Sequence, residues 1–153
     1  MWTWFKELFM LIGMLFSKVD KTKNIDIIVT KYFPFKGYAY MMWCGCILTR
    51  KTTDISNESY NHERGHLIQA SFYKWWIQYY AVYLWEWIKG NPITASAASA
   101  YYTIPFEVQA YANQHDPNYD YNREDLKNIY TLKNRKKLYN LYRFEWKQYI
   151  KSL

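Results

Sequence analysis

Cysteine, histidine and acidic residues are scarce in this sequence, and long apolar runs are missing. Two cysteines in 153 residues, Cys44 and Cys46, are too few for a disulfide framework and too close for a zinc-knuckle pair. At positions i and i+2 of a strand they share a face, where a disulfide would be strained, so they read as two packed thiols in a strand. The apolar run near the start extends only from Leu8 to Phe16, too short to cross a bilayer. It has no positive leader before it and no small-residue cleavage site after it, so it is a poor signal peptide. No phosphate loop, arginine-rich patch or nucleic-acid motif occurs, and nucleic acid is not an expected partner. With 13 acidic residues against 20 basic ones, the formal net charge is +7. That balance suits an anionic membrane surface. A cytoplasmic or membrane-associated location is the expectation.

What the chain has in excess is aromatic surface, with 17 Tyr and 8 Trp. Both residues carry an apolar body and a polar tip, which favours interfaces and membrane boundaries. The length suits one domain, 1–153, large enough to bury a core without staples. Residues 1–18 read as an apolar helix. Trp2, Trp4, Phe5, Phe9 and Phe16 suit a membrane interface, and the same pattern suits packing on the domain's own core. Ile25 to Thr30 is β-branched and reads as a strand. Pro34 and Gly37 punctuate a turn. Tyr38 to Trp43 and Cys46 to Arg50 read as strand, with Gly45 marking a bulge between them. Together these predict a small antiparallel sheet ahead of a long helix, further helices following: an α+β fold.

That helix should start near Ser56 or Ser59 and run towards Gly90-Asn91-Pro92, the first strong stop signal. Residues 70–88 are mostly apolar, but the stretch between Lys74 and Glu86 is too short and too polar for a span. It reads as a core helix with an aromatic face. Ile93 to Ala100 is a short helix or a closely packed loop. Pro105 fits the first turn of another helix, capped by Thr103 or Ile104. Asp116-Pro117-Asn118 is a turn. Residues 124–153 carry eight Lys and Arg against three acids, with apolar residues at helical spacing. This predicts a basic amphipathic helix pair.

The chemistry concentrates in Asn61-His62-Glu63-Arg64-Gly65-His66. Positions i and i+4 of a helix lie one above the other, so His62 and His66 can present two imidazole nitrogens to one ion. Glu63 lies beside them, a carboxylate placed to handle the proton of a bound water. This is the His-Glu-x-x-His arrangement of zinc metallohydrolases. The chain has only three histidines, and two fall at this spacing. Catalytic zinc usually takes three protein ligands, and downstream the candidates are Glu107, His115 and Asp116. Glu107 is the strongest, because it sits on a predicted helix and completes a His-His-Glu set. A carboxylate in a first helical turn also interacts favourably with the helix dipole without any metal.

The chain resembles a family of small zincin-like proteins found mainly in Bacteroidetes. Their pattern runs Asn-His-Glu-x-x-His-x-x-Gln, then an aromatic helix, then Ile-Pro-Phe-Glu-x-Glu-Ala-Tyr-x-Asn. The matches are Asn61, His62, Glu63, His66 and Gln69, then Ile104, Pro105, Phe106, Glu107, Ala110, Tyr111 and Asn113. Gln109 replaces the second Glu, and Gly65 sits inside the active helix, where it costs up to about 1 kcal/mol relative to Ala. The resemblance spans roughly residues 25 to 135 and implies a metallopeptidase holding Zn2+ through His62, His66 and Glu107, with a peptide or protein substrate. Glu63 is then the general base. Tyr101, Tyr102 and Tyr111 are candidates for stabilising an oxyanion, and Gln69, one turn beyond His66, for supporting a ligand. The alternatives are a non-catalytic zincin-like module for membrane-surface or protein interaction, and a basic adaptor in which the His pair is incidental. Peripheral contact with an anionic membrane is expected from the two chain ends.

Overall fold

The computed structural model describes residues 2–34, 39–50, 54–90, 97–124 and 126. Among them are three strands and five helices, an α+β arrangement. The order is α1 (Trp2–Met14), β1 (Asp26–Val29), β2 (Tyr40–Trp43), β3 (Cys46–Thr49), α2 (Asn57–Ala70), α3 (Trp76–Lys89), α4 (Ala97–Tyr102) and α5 (Pro105–Asn113). The chain divides into two compact units, Met1–Tyr80 and Ala81–Leu153. The helix pair expected over 124–153 falls outside the described residues, apart from Glu124 and Leu126.

In the first unit the sheet is mixed and not antiparallel as expected. Its order is β1-β3-β2. β2 and β3 form an antiparallel hairpin, and β1 pairs with β3 in parallel, Asp26 opposite Cys46 and Val29 opposite Thr49. The cause is topological. β3 inserts between two strands that run in opposite directions, so one of its neighbours must be parallel to it. Alternation of side chains reports a strand's faces and not its direction. β3 is consequently buried along its whole length, while β1 forms a mostly exposed edge.

Gly45 is not a bulge. Cys44 and Gly45 both have positive φ, 51° and 84°, and form the two-residue turn of the β2–β3 hairpin. Positive φ at both central positions is the type I′ requirement, and its twist matches that of the flanking strands. Cys44 therefore lies in the turn, and only Cys46 lies in a strand. Both thiols are free and buried. The Cys44 amide donates to the Tyr80 hydroxyl at 3.1 Å, and that hydroxyl donates to the Met42 carbonyl at 3.0 Å. Burial, then the neighbouring Cys46, pushes the Cys44 thiol up to about 12.

α1 packs on this unit through Leu11, which meets Phe33 and Leu48, with Leu8 and Met14 beside it. Trp43 Nε1 donates to the Leu11 carbonyl at 3.0 Å. α2 packs against β2. Its start follows the sequence signal: Ser56 is the N-cap, and its Oγ accepts from the Ser59 amide at 3.2 Å. Glu58 in the first turn favours the helix dipole.

The expected single helix from Ser56 to Gly90 is two helices. α2 ends at Ala70, and residues 71–75 turn the chain before α3 begins. Two side-chain devices make the break. Ser71 Oγ donates to the Ile68 carbonyl at 2.6 Å, and Gln78 Oε1 accepts from the amides of Lys74 and Trp75, each at 3.1 Å. Trp75 also forms an isolated antiparallel bridge with Lys18. Along α3, Trp76 and Tyr79 are buried, so part of its aromatic face is core. Ile77, Leu84, Trp85 and Ile88 are exposed. No helix among the described residues is long and apolar enough to cross a membrane.

In the second unit, Gly90 ends α3, its amide donating to the carbonyls of Glu86 and Trp87 at 3.2 and 3.0 Å. A Cβ at Gly90 would lie 2.9 Å from the Ala100 Cα, so this close approach to α4 requires glycine. α5 begins with Pro105 in its first turn. Ile104 holds the N-cap position with no side-chain hydrogen bond, and Thr103 Oγ1 instead donates back to the Ala100 carbonyl at 3.0 Å. The turn at Asp116 is present, with the Asn118 amide donating to Asp116 Oδ1 at 2.9 Å.

Candidate metal centre

α2 presents its histidines as the i, i+4 spacing dictates. His62, Glu63 and His66 are all buried. The two Nε2 atoms lie 3.2 Å apart, with the rings at 86° to one another. Zinc–nitrogen bonds of about 2.0–2.1 Å at a tetrahedral angle would set two ligand nitrogens about 3.3–3.4 Å apart. The pair is thus spaced as one edge of a tetrahedral site.

The His66 tautomer follows from its outer nitrogen. Nδ1 lies 2.9 Å from Gln69 Oε1. An amide oxygen only accepts, so Nδ1 carries the proton, and in the neutral ring Nε2 then keeps its lone pair. The Tyr79 hydroxyl, 3.3 Å from the same Nδ1, adds a second contact. Gln69 and Tyr79 are themselves almost wholly buried, which fixes the imidazole plane. Outer partners of this kind hold a ligating histidine in one orientation. Glu63 stands near enough to Tyr80 for its charge to help raise that hydroxyl's pKa, although burial is the main cause and Cys44 the next.

Glu107 occupies the first turn of α5 and is buried. Both of its carboxylate oxygens accept from tyrosines: Oε1 from the Tyr83 hydroxyl at 2.6 Å, Oε2 from the Tyr101 hydroxyl at 2.8 Å. Burial, then the Glu107 charge, holds the Tyr101 hydroxyl well above its ordinary range, so it stays a donor. Tyr83 stacks parallel to Phe106, with ring centroids 6.1 Å apart. Tyr101 continues into an aromatic chain with Tyr102 and Tyr111, at 5.2 and 5.8 Å between successive rings.

Among the described residues, His62, His66 and Glu107 form a group of metal-binding donors. One donor atom from each lies within 4.8 Å of the other two. His115 and Asp116 are outside this group and exposed, in the turn that follows α5. Of the tyrosines that the sequence suggested for an oxyanion, Tyr101 has its hydroxyl on Glu107, and Tyr102 and Tyr111 stand behind it. Gln109, at the position where the resemblance has Glu, is buried and donates through Nε2 to the Asn122 carbonyl at 3.3 Å.

Tyr79 and Tyr83 escaped the sequence reading. They lie four residues apart, on one face of α3, and each touches a candidate ligand. Tyr79 is buried and Tyr83 half-buried, and a tyrosine hydroxyl withdrawn from water needs a partner, which the fold and not the sequence reveals. Comparison with protein-family models, curated proteins and solved structures returns no match.

Proposed function

We propose that the chain is a zinc-dependent metallohydrolase of the peptidase type, with a zincin-like site. His62, His66 and Glu107 are its ligands and Glu63 its general base. The observation that carries this reading is the convergence of two imidazoles and one carboxylate, all buried, within 4.8 Å. The donor set fits zinc: it is the His2Glu ligand type, and the 3.2 Å between imidazole nitrogens suits tetrahedral coordination. A buried carboxylate beside two imidazoles is also a chemistry that softer, thiolate-seeking metals do not favour.

Bound zinc would acidify a water towards neutral pH and polarise a substrate carbonyl. The chain's own residues do the rest. Glu63 accepts a proton from the attacking water and returns it to the leaving amine. Gln69 and Tyr79 hold His66 with its lone pair on Nε2. Tyr83 and Tyr101 orient Glu107, and their hydrogen bonds to a charged acceptor are of the stronger class.

Metal content of the purified, zinc-loaded protein tests the ligand set. About one zinc per chain is expected, lost in His62→Ala and Glu107→Ala and kept in His115→Ala. If His115→Ala is the variant that strips the metal, Glu107 is not the third ligand. Turnover of a peptide library by wild type and Glu63→Gln tests the chemistry. Gln is nearly isosteric, so the variant should keep zinc and lose hydrolysis. Full turnover in Glu63→Gln removes it as the base, and zinc binding without any hydrolysis by wild type leaves a non-catalytic zincin-like module.

A further inference from the structure

The outward face of α1 is apolar. Trp4, Phe5, Phe9, Met10, Ile12 and Phe16 are exposed, Phe9 at 73% and Phe16 at 61%. The exposed charge on the helix is Lys6, and Glu7 is half-buried, its Oε1 accepting from the Lys31 amide at 3.4 Å. Apolar surface of this extent on a soluble face marks an interaction site. Just past α1 the chain meets the start of α3: the Ile77 amide donates to the Leu15 carbonyl at 2.9 Å and the Trp76 amide to the Ser17 carbonyl at 3.3 Å. Phe16, Trp75 and Ile77 line an open hollow of about 280 Å³ there. Lys18 and Lys74 bring their ammonium groups to 5.8 and 5.6 Å from the Trp75 ring centroid. The adjacent Asp20 is exposed, its Oδ1 accepting from the Thr22 amide and hydroxyl at 2.9 and 2.7 Å.

We propose that this face docks on an anionic lipid bilayer, with α1 lying in the plane of the interface. A helix of 13 residues is about 20 Å long, and a span needs about 20 residues. Phe9, Met10, Ile12 and Phe16 enter the acyl boundary. Trp4 and Trp75 sit at headgroup depth, where an indole satisfies both its apolar body and its N–H. Lys6, Lys18 and Lys74 meet the lipid phosphates. Charge decides the occupant. A second copy of the chain would bring the same lysines against these, because a two-fold interface pairs a patch with itself. A surface of negative headgroups complements them, and the chain's net charge of +7 adds attraction at a distance.

Flotation of the full chain with vesicles tests this. Binding is expected to vesicles of three parts phosphatidylcholine and one part phosphatidylglycerol, to weaken as salt rises, and to be absent on phosphatidylcholine alone. Lys18→Gln and Lys74→Gln should each weaken it about fivefold. Phe9→Ser and Phe16→Ser should each weaken it roughly tenfold or more. These side chains point outward, so circular dichroism and the melting temperature should not change. Zinc-loaded and zinc-free protein should bind alike, so the outcome is independent of the hydrolase reading. No binding overturns the proposal, as does equal binding to neutral vesicles in high salt. Unchanged binding by the Phe variants, or self-association that Phe9→Ser abolishes, overturns it too.

Discussion

Gln69→Leu separates a built metal site from two histidines that merely share a helix face. Gln69 Oε1 lies 2.9 Å from His66 Nδ1 and sets the proton on that nitrogen. Leu has similar bulk and no acceptor, so it removes the constraint and keeps the packing. A neutral hydrogen bond is worth about 1 kcal/mol net. An outer partner of a ligating histidine is worth about 10–100-fold in metal affinity, because it fixes ring and tautomer together. The Tyr79 hydroxyl, 3.3 Å from the same nitrogen, takes over part of the role. The single variant should therefore lose about tenfold in zinc affinity, which is about 1.4 kcal/mol. Gln69→Leu with Tyr79→Phe removes both contacts and should approach a hundredfold. Competition with a chromophoric chelator at fixed pH gives the affinity. Melting curves of the metal-free variants show whether the fold is intact. A double variant that folds and binds zinc within twofold of wild type would refute the reasoning, since His66 Nε2 would then owe nothing to its outer side.

Four further outcomes are expected. Burial, then the adjacent Cys44, holds the Tyr80 hydroxyl well above its ordinary value of 10.0. A raised folded pKa gives stability that is complete below the unfolded value and lost as pH rises through the folded one. The melting temperature should thus begin to fall from about pH 9, where the raised Cys44 thiol starts to cost stability, and fall more steeply beyond about pH 10, with a shallower fall above about pH 10 in Tyr80→Phe. At neutral pH, Tyr80→Phe takes the acceptor from the Cys44 amide and should cost about 1–3 kcal/mol in urea unfolding. Gly90→Ala must push the Ala100 backbone aside and should cost about 1–3 kcal/mol by the same measurement; an unchanged midpoint would mean that α4 yields freely. With both thiols buried and the Cys44 thiol near 12, native protein should not react with a disulfide reagent at pH 8, while unfolded protein should show both.

What the sequence conveyed depended on how local the cause was. Ser56 caps α2 through its own side chain, and Pro105 opens α5 through its own ring, so both starts were legible. The end of α2 was not. Nothing in Ser71 to Trp75 is a helix breaker by type, and the break depends on Gln78 reaching back and on Trp75 pairing with Lys18. The strands announced themselves by composition, whereas the parallel pairing of β1 is a consequence of β3 entering between its neighbours. The Cys44-Gly45 turn lacked the Asn-Gly or Asp-Gly signature of its class, and so passed for a bulge.

The same division runs through the candidate site, and there it has a chemical consequence. A helix repeat alone puts His62 and His66 on one face, so five residues of sequence suffice to nominate both imidazoles. Their usefulness to a metal depends on something else, the side from which each ring is held. That task falls to Gln69 and Tyr79 for His66, and to Tyr83 and Tyr101 for the Glu107 carboxylate. In a chain with 17 tyrosines, no composition or spacing rule marks out three of them. Each is marked only by burial of a hydroxyl that must find an acceptor. Four such side chains around two candidate ligands are more than helix packing requires: apolar residues would fill the same space without the desolvation cost of buried polar groups. On the proposed reading this surplus of oriented donors and acceptors serves a metal and not packing alone, and the Gln69 and Tyr79 variants measure it directly.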